Sequence, residues 1–286
     1  MVSADEIRDG QRAAWDGLSA AWEKWDGIIT AQLAPLTDAM VEDLDLAADQ
    51  QHLDIASGTG EPGLTIARRC PEGRVVLTDL SPEMLGVAAR RAAAQGITNV
   101  ESRVCSADDL PFADGSFDSV SVRLGFMFFP DLGAAAAELV RVLRPGGRLS
   151  AAVWVHPDRN PWTSVAMAAI ATEVELPPPD PDRPNMYRCG APGAVAALYE
   201  AAGLVDVAER DVEVELVTDS PEEYWAVLSE HVSLAQAALR QVDAAARDRM
   251  QEAAVEGVRP YQSADGRVRV PGVGRVVVGT RPPAPA

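Results

Sequence analysis

The chain has 286 residues, of which 47% are hydrophobic and 24% charged, a usage typical of a folded globular protein rather than a disordered one. Asp and Glu total 43 against 25 Lys and Arg, a formal net charge of −18. This acidity argues against nucleic-acid binding, which depends on clustered basic residues. Lys24 is the only lysine and lies in a polar N-terminal segment, so lysine Schiff-base chemistry is not expected.

The three cysteines, Cys70, Cys105 and Cys189, lie far apart and include no CxxC pair. Neither a disulfide framework nor a zinc site is therefore expected. The first 15 residues lack a basic and an apolar region, so they do not predict a signal peptide. No apolar run reaches the roughly 18 residues of a spanning helix. We expect a cytoplasmic protein without a bound metal or a membrane span.

Helices are expected over residues 1–50, where Trp15, Trp22 and Trp25 recur on one helical face. From residue 51 onward, strands and helices alternate. The predicted strands cover 51–56, 74–80, 99–105, 117–124 and 148–155, and the predicted helices cover 62–69, 82–95 and 132–143. This alternation is typical of a doubly wound parallel sheet, whose ligand lies at the carboxyl ends of the strands beside the first one.

After residue 155 the regular alternation of predicted strands and helices ends. A helix and a long loop are predicted over 156–190, which includes the proline-rich segment 177–184. The rest is predicted as a helix at 192–202, a strand at 205–217, a helical stretch at 221–257 and two β-rich stretches around Pro271-Gly272 within 267–280. We therefore divide the chain into an N-terminal helical cap (1–50), a core (51–155) and a remainder (156–286) that completes the sheet and adds a lid at about 221–257.

The segment 58–63 matches the dinucleotide fingerprint G-x-G-x-x-G, and Asp79 lies about 20 residues further on, at the end of the second predicted strand. On this pattern alone, an NAD-dependent oxidoreductase is the obvious hypothesis. Glu61, however, would lie at the helix N-terminus where a dinucleotide places its pyrophosphate, and the two anions would repel each other. A cationic cofactor without phosphate, such as S-adenosylmethionine, fits better unless Glu61 points to solvent.

Five segments in order resemble the class I S-adenosylmethionine-dependent methyltransferases, especially the ubiquinone/menaquinone-biosynthesis type and related small-molecule methyltransferases. They are LDIASGTG (53–60), TDLSPEML (78–85), ADDLPF (107–112), GSFD (115–118) and RVLRPGG (141–147). The resemblance implies an α/β, doubly wound Rossmann-like fold with helical lid elements. Its seven-stranded sheet would be mostly parallel with an antiparallel last strand. The implied cofactor is S-adenosylmethionine, with S-adenosylhomocysteine as product, bound by the core.

By position, the resemblance implies that Asp54 approaches the methionine amine and that Asp79 binds the ribose hydroxyls. The full implied cofactor set is Asp54, Ala56, Gly58, Thr59, Gly60, Asp79, Leu80, Met84, Ser106, Ala107, Asp108 and Arg123.

Three positions depart from the pattern. Ala56 replaces a common glycine, which is tolerable if the residue adopts the β region. Ser106 replaces a common Asp or Asn, and Asp108 is a possible substitute. Arg123 is bulky at a usually small position, where it could pair with an acidic residue or reach an acidic substrate.

Methyl transfer from a sulfonium is an in-line displacement that needs positioning, exclusion of water and, for a protonated nucleophile, a base. His156 and His231 are the candidate bases, whereas His52 lies at the wrong end of the sheet. Aromatic residues make up only 5% of the chain, and several flank the predicted cleft. The candidate substrate-contacting residues are Trp15, Phe126, Phe128, Trp162 and Trp225, with ordinary helix–sheet packing as the alternative explanation.

We therefore predict an enzyme that transfers a methyl group to a small, largely apolar molecule, in secondary or cofactor metabolism. Oxygen is the first expectation for the acceptor atom, with nitrogen and carbon left open. A protein of the same fold that uses the cofactor for a non-methylating reaction or a structural role is an alternative. Methylation of a protein is another, and the NAD-dependent enzyme is the least favoured. The chain is expected to be a monomer or a homodimer.

Overall fold

The computed structural model describes residues 3–176, 180 and 183–284. Its strands are β1 Gln51–Ile55, β2 Arg74–Asp79, β3 Val100–Val104, β4 Phe117–Arg123, β5 Leu143–Trp154, β6 Val205–Thr218 and β7 Val268–Thr280. They form one sheet in the order β3-β2-β1-β4-β5-β7-β6. Strands β1 to β5 pair in parallel, and β7 runs antiparallel to both β5 and β6. The predicted fold class is confirmed.

Ten α-helices accompany this sheet in the described part of the chain. They are α1 Ala4–Lys24, α2 Asp26–Leu44, α3 Gly63–Arg69, α4 Pro82–Ala94, α5 Leu132–Val142, α6 Pro161–Ile170, α7 Ala194–Ala201, α8 Pro221–His231, α9 Ser233–Leu239 and α10 Ala244–Val258. Helices α3, α4 and α5 are the connections between successive parallel strands. The hydroxyl of Ser81 accepts the N–H of Met84 (3.1 Å) and caps α4.

Three element boundaries differ from expectation. Strand β5 begins at Leu143, so 145–147 lies within a strand instead of ending a helix. The helical stretch 221–257 is three helices, because Val232 leaves the helical region (φ −95°, ψ 117°) and Asp243 caps α10. The two predicted stretches around Pro271 are one strand, β7. The predicted loop at 177–184 lies partly outside the described residues.

Helix α2 packs across the face of β4 to β7, and α1 packs against α4 and α8. At the end of α1, the amine of Lys24 forms an ion pair with Glu230 of α8 (2.7 Å). The indole of Trp25 donates to the same carboxylate (2.9 Å). Helices α1 and α8 are therefore joined into one helical layer beside the carboxyl ends of the parallel strands.

Candidate functional site

An open cleft of about 900 Å³ lies at the carboxyl ends of β1, β2 and β4. Its walls comprise 55–59 with Glu61, 78–80 with Met84, 105–107, 123–125, 128–130, and Gln11, Trp15, Trp22 and Leu33 from the N-terminal helices. This is the position that a doubly wound sheet predicts for its ligand, beside the first strand where the strand order reverses.

Two buried carboxylates fix the loop between β1 and α3. Asp79 accepts the backbone N–H of Gly58 (2.9 Å) and that of Ser81 (2.9 Å) and forms part of the cleft wall. Asp54 lies beneath the loop, where it accepts the N–H of Gly63 (2.9 Å) and the hydroxyl of Ser121 (2.6 Å). Burial raises the pKa of Asp79, and it raises the pKa of Asp54 to about 7. Asp54 and Gly60 do not line the cleft themselves.

Backbone strain is concentrated where β1 and β4 end. Ala56 has φ 51° and Leu124 has φ 60°, so both occupy the left-handed region that favours glycine. Ala56 therefore does not meet the condition, a β-region conformation, under which its methyl group would replace glycine without strain. A Cβ on Gly125 would lie 2.5 Å from the Cβ of Ala56, so the glycine is needed for the two loops to meet.

The cleft floor carries charges of both signs. The partly buried guanidinium of Arg123 donates to the hydroxyl of Thr37 (3.1 Å), and desolvation lowers its pKa while the carboxylates of Glu61 and Asp54 oppose that shift. Glu61 is buried in the cleft wall and accepts the N–H of Thr65 (3.2 Å). It does not point to solvent. Its carboxylate also lies near the guanidinium groups of Arg91 (3.7 Å) and Arg68 (3.8 Å), so the negative charge is partly balanced within the protein.

Helix α1 is tied to both rims of the cleft. Arg8 donates two hydrogen bonds to the carboxylate of Asp108 (2.8 and 3.3 Å), which also accepts the hydroxyl of Ser106. Arg12 donates to the carbonyl of Leu80 (3.2 Å). Ser106, Ala107, Leu80 and Met84 line the cleft, but Asp108 is turned towards α1 and does not.

A second cavity lies next to the first, and the two have Trp15, Trp22, Leu33, Leu124 and Phe128 as common lining residues. Its other lining residues are Ile29, Gln32, Trp154, Trp162, Met186, His231, Val232 and Ser233. The walls are strongly aromatic. Trp15 meets Phe128 edge to face at 5.3 Å, and Trp162 stacks on His231 at 6.3 Å between ring centroids.

Of the five candidate substrate-contacting residues, the structure brings three, Trp15, Phe128 and Trp162, into this second cavity. Phe126 and Trp225 are buried in the hydrophobic core and line neither cavity. The ring of Phe126 instead packs against Phe129 at 5.3 Å.

The histidines have three different environments. His231 is buried in the wall of the second cavity, with Nδ1 2.6 Å from the carbonyl oxygen of Val227, and burial lowers its pKa to about 4. His156 is exposed beside Asp158 and lines neither cavity. His52 belongs to β1 and is buried between the hydroxyls of Ser119 (2.7 Å) and Ser121 (2.9 Å) of β4, and burial lowers its pKa to about 3.

Three buried polar atoms of the cavity walls have no hydrogen-bond partner within the described part of the chain. They are Ser57 Oγ in the first cavity, Gln32 Nε2 in the second and Trp22 Nε1 in the wall that both share. Sequence reasoning missed Gln32, which belongs to no motif. The available signal was a polar residue on the helical face of Ile29, Leu33 and Leu36, which predicts burial.

Residues 53–147 match the family model of a methyltransferase domain. The uncharacterized protein Rv1405c of Mycobacterium tuberculosis is 34% identical over 197 residues, 67% of this chain and 71% of that protein. The nocamycin O-methyltransferase of Saccharothrix syringae is 31% identical over 198 residues (66% and 71%). The demethylmenaquinone methyltransferase of Thermus thermophilus is 46% identical over 111 residues (37% and 49%).

Solved structures share the fold. YcgJ of Bacillus subtilis gives a TM-score of 0.56 at 20% identity, covering 86% of this chain and 97% of its own. Phosphoethanolamine N-methyltransferase 2 of Haemonchus contortus, with S-adenosylhomocysteine bound, gives 0.57 at 18% (99% and 61%). The [4+2]-cyclase SpnF gives 0.54 at 17% (94% and 96%), so the fold alone does not set the reaction.

The chain belongs to the class I S-adenosylmethionine-dependent methyltransferases. Its cofactor is S-adenosylmethionine, as the sequence motifs predict. The cleft walls fit this cofactor. The hydroxyl of Ser57 has no hydrogen-bond partner among the described residues and can bond a polar group of the cofactor, and the carboxylate of Asp79 can accept hydrogen bonds from its ribose hydroxyls. Glu61 and Arg123 offer opposite charges to an ammonium and a carboxylate group.

Among the described residues, no group of three His, Cys, Asp or Glu side chains could hold a metal ion. Within the same residues, no helix combines the length and the apolar character that crossing a bilayer requires.

Proposed function

We propose that this protein is an O-methyltransferase that acts on a small, largely apolar molecule held in the second cavity. The shared wall of the two cavities carries the proposal. Because Trp15, Trp22 and Phe128 line both cavities, a molecule in the second cavity would lie one side chain or less from a ligand in the cleft. The aromatic walls favour a planar apolar acceptor and keep water out.

Asp79, Ser57, Leu80 and Met84 would hold the nucleoside part of the cofactor, and Glu61 and Arg123 its charged amino-acid part. When bound, the cofactor supplies a methyl group activated on a sulfonium. The residues of this chain orient the acceptor, exclude water and accept the proton that the acceptor loses.

His231 is the proposed proton acceptor. A carbonyl oxygen cannot donate, so the short contact to Val227 places the hydrogen on Nδ1 and leaves Nε2 with a free lone pair. With its pKa lowered to about 4, the imidazole is neutral near pH 7. Such a weak base takes the proton late, after formation of the oxygen–carbon bond has made the hydroxyl strongly acidic. His156, which lines neither cavity, has no part in this proposal.

The direct test incubates the protein with S-adenosylmethionine and neutral bicyclic phenols and searches for products by mass spectrometry. We expect a gain of one methyl group on the acceptor and an equal amount of S-adenosylhomocysteine. Tight cofactor binding by calorimetry without methyl transfer to any phenol would contradict the proposal and favour a non-methylating role.

A His231→Gln variant tests the base. It should reduce kcat at least tenfold, since general-base catalysis typically contributes about 10²–10⁴-fold. Cofactor affinity should stay within twofold of the original, because His231 lines only the second cavity. An unchanged kcat would show that positioning alone is sufficient.

A further inference from the structure

We propose that the acceptor carries a carbonyl group close to its reactive hydroxyl, and that Trp22 and Gln32 bind the carbonyl oxygen. This inference rests on the proposed function, since it takes the second cavity as the acceptor site. It goes further by naming the chemical class of the acceptor and two specificity-determining residues.

The indole of Trp22 defines the first requirement. Its Nε1–H is buried and has no partner within the described residues, and an indole N–H can only donate. Buried donors are nearly always satisfied in folded proteins, so a group from outside the chain brings a hydrogen-bond acceptor to this wall, and we assign that group to the acceptor molecule.

Gln32 adds a second donor. The side chain is 2% exposed, it lines the second cavity, and its Nε2 is unpartnered among the described residues. Its helical neighbours Ile29 and Leu33 are apolar and line the same cavity. A carbonyl oxygen has two lone pairs and can therefore accept from both Trp22 and Gln32.

His231, unlike Trp22 and Gln32, requires a hydrogen-bond donor from the ligand. Its Nε2 holds a lone pair and forms no hydrogen bond within the described residues, so its partner must be a donor such as a hydroxyl. The rings of His231 and Trp22 meet edge to face with centroids 5.9 Å apart, so the donor and acceptor groups of the ligand must be close together.

The charge of the cavity completes the description. None of its lining residues, all of them in the described part of the chain, is Asp, Glu, Lys or Arg. An ionised acceptor would be buried without a counter-charge, which is strongly unfavourable. The geometry therefore fits a neutral, planar hydroxy-ketone, such as an aryl ketone with a ring hydroxyl.

The test uses matched two-ring probes. They are the hydroxytetralones with the hydroxyl at each aromatic position, the matching hydroxytetralins without the ketone, and tetralone without the hydroxyl. Affinities are measured by calorimetry with S-adenosylhomocysteine present. The best hydroxytetralone should bind about 5- to 10-fold more tightly than its ketone-free partner, the gain expected for one or two buried hydrogen bonds.

Two variants test whether Gln32 and Trp22 cause that preference. Gln32→Leu and Trp22→Phe should each reduce the affinity ratio of hydroxytetralone to hydroxytetralin to about twofold or less, without lowering the affinity for the hydroxytetralin. Gln241→Leu makes the same chemical change at an exposed site and should keep the full preference. Affinity for S-adenosylhomocysteine shows that the fold is retained in Gln32→Leu, because Gln32 lines only the second cavity, and the urea-unfolding midpoint shows it for Trp22→Phe, whose ring also lines the cleft.

The outcomes separate the two proposals. Equal binding of the phenol with and without the ketone, or a preference that survives in both variants, overturns this inference and leaves the O-methyltransferase proposal standing. If S-adenosylhomocysteine binds but none of the probes binds beside it, the second cavity is not the acceptor site and both proposals fail.

Discussion

Ala56 and Leu124 place two non-glycine residues in the left-handed region at the point where β1 and β4 open into the cleft. For ordinary residues this conformation costs about 1–2 kcal/mol each. Strained residues persist where the surrounding structure holds them, and they often cluster at ligand sites. Here the positive φ angles turn both loops towards the same cavity, which Ala56, Leu124 and Gly125 all line.

The strain makes a prediction at the residue scale. Ala56→Gly should raise the free energy of unfolding by up to about 1 kcal/mol, because glycine adopts positive φ without steric penalty although it costs chain entropy. Gly125→Ala should lower it by about 2 kcal/mol or more, because the new Cβ would lie 2.5 Å from that of Ala56. Urea unfolding of the two variants measures both changes, and a stabilised Gly125→Ala protein would contradict the packing argument.

At this scale the sequence predicted residues that belong to motifs and missed those that depend on tertiary packing. Asp79 and Gly58 could be placed because their spacing is local. Asp108 was assigned to the cofactor by its neighbourhood in sequence, but its partner Arg8 lies about 100 residues away in another helix. Gln32 has no local signature, and its role depends on which residues surround it in space.

At the scale of elements, α1 is the closing wall of the cleft. It supplies Gln11, Trp15 and Trp22 to the lining, and Arg8 and Arg12 fasten it to the rims. The carboxylate of Asp108 is only 5% exposed, so the ion pair with Arg8 is better shielded than a surface pair. Movement of α1 away from Asp108 and Leu80 would widen the entrance to the cleft.

Breaking this contact should speed exchange of the cofactor product. Arg8→Met is expected to raise the dissociation rate of S-adenosylhomocysteine about tenfold, the effect of losing one charge-assisted hydrogen-bonded pair. Stopped-flow measurement of tryptophan fluorescence can follow the release, since Trp15 lies in the wall. Arg69→Met removes an exposed arginine outside α1 and should leave the rate unchanged. A slower or unchanged release in Arg8→Met would show that α1 does not limit exchange.

Most elements of the core were predictable to within one or two residues because hydrophobic period and turn residues agree there, and β5 is the exception. Beyond residue 155, α7 and β6 were predicted equally well, but the break at Val232 and the continuous strand β7 were not. Pro271-Gly272 has the composition of a turn, yet a Cβ on Gly272 would lie 2.5 Å from the Trp162 ring, so the glycine serves packing inside β7. A contact between residues about 110 positions apart leaves no trace in a local pattern.

At the scale of the whole molecule, buried ionisable groups give stability a pH dependence with opposing parts. His231 and His52 have pKa values lowered to about 4 and about 3, so they stabilise the fold above pH 6.5 and lose that contribution as the pH falls towards those values. Asp54 has its pKa raised to about 7 from 3.8, so its contribution is present below pH 3.8 and lost as the pH rises to about 7.

His231→Gln isolates one of these contributions. Between about pH 4 and 6.5, the unfolded chain binds a proton at His231 that the folded chain does not. The original protein should therefore gain stability relative to the variant as the pH rises through this range, by about 3 kcal/mol at most. Urea unfolding of both proteins at several pH values measures the difference. A difference independent of pH would mean that His231 is not desolvated.

The ion pair between Lys24 and Glu230 has a practical consequence, because Lys24 is the only lysine of the chain. Amine-reactive reagents can therefore attach to one side chain, besides the α-amino group. That side chain is about half exposed and lies where α1 meets α8. Reductive ¹³C-methylation keeps the positive charge, and therefore the ion pair, and would place there an NMR probe that reports separation of the two helices without cysteine engineering. The single lysine makes the unmodified sequence suitable for observing opening of the helical layer in solution.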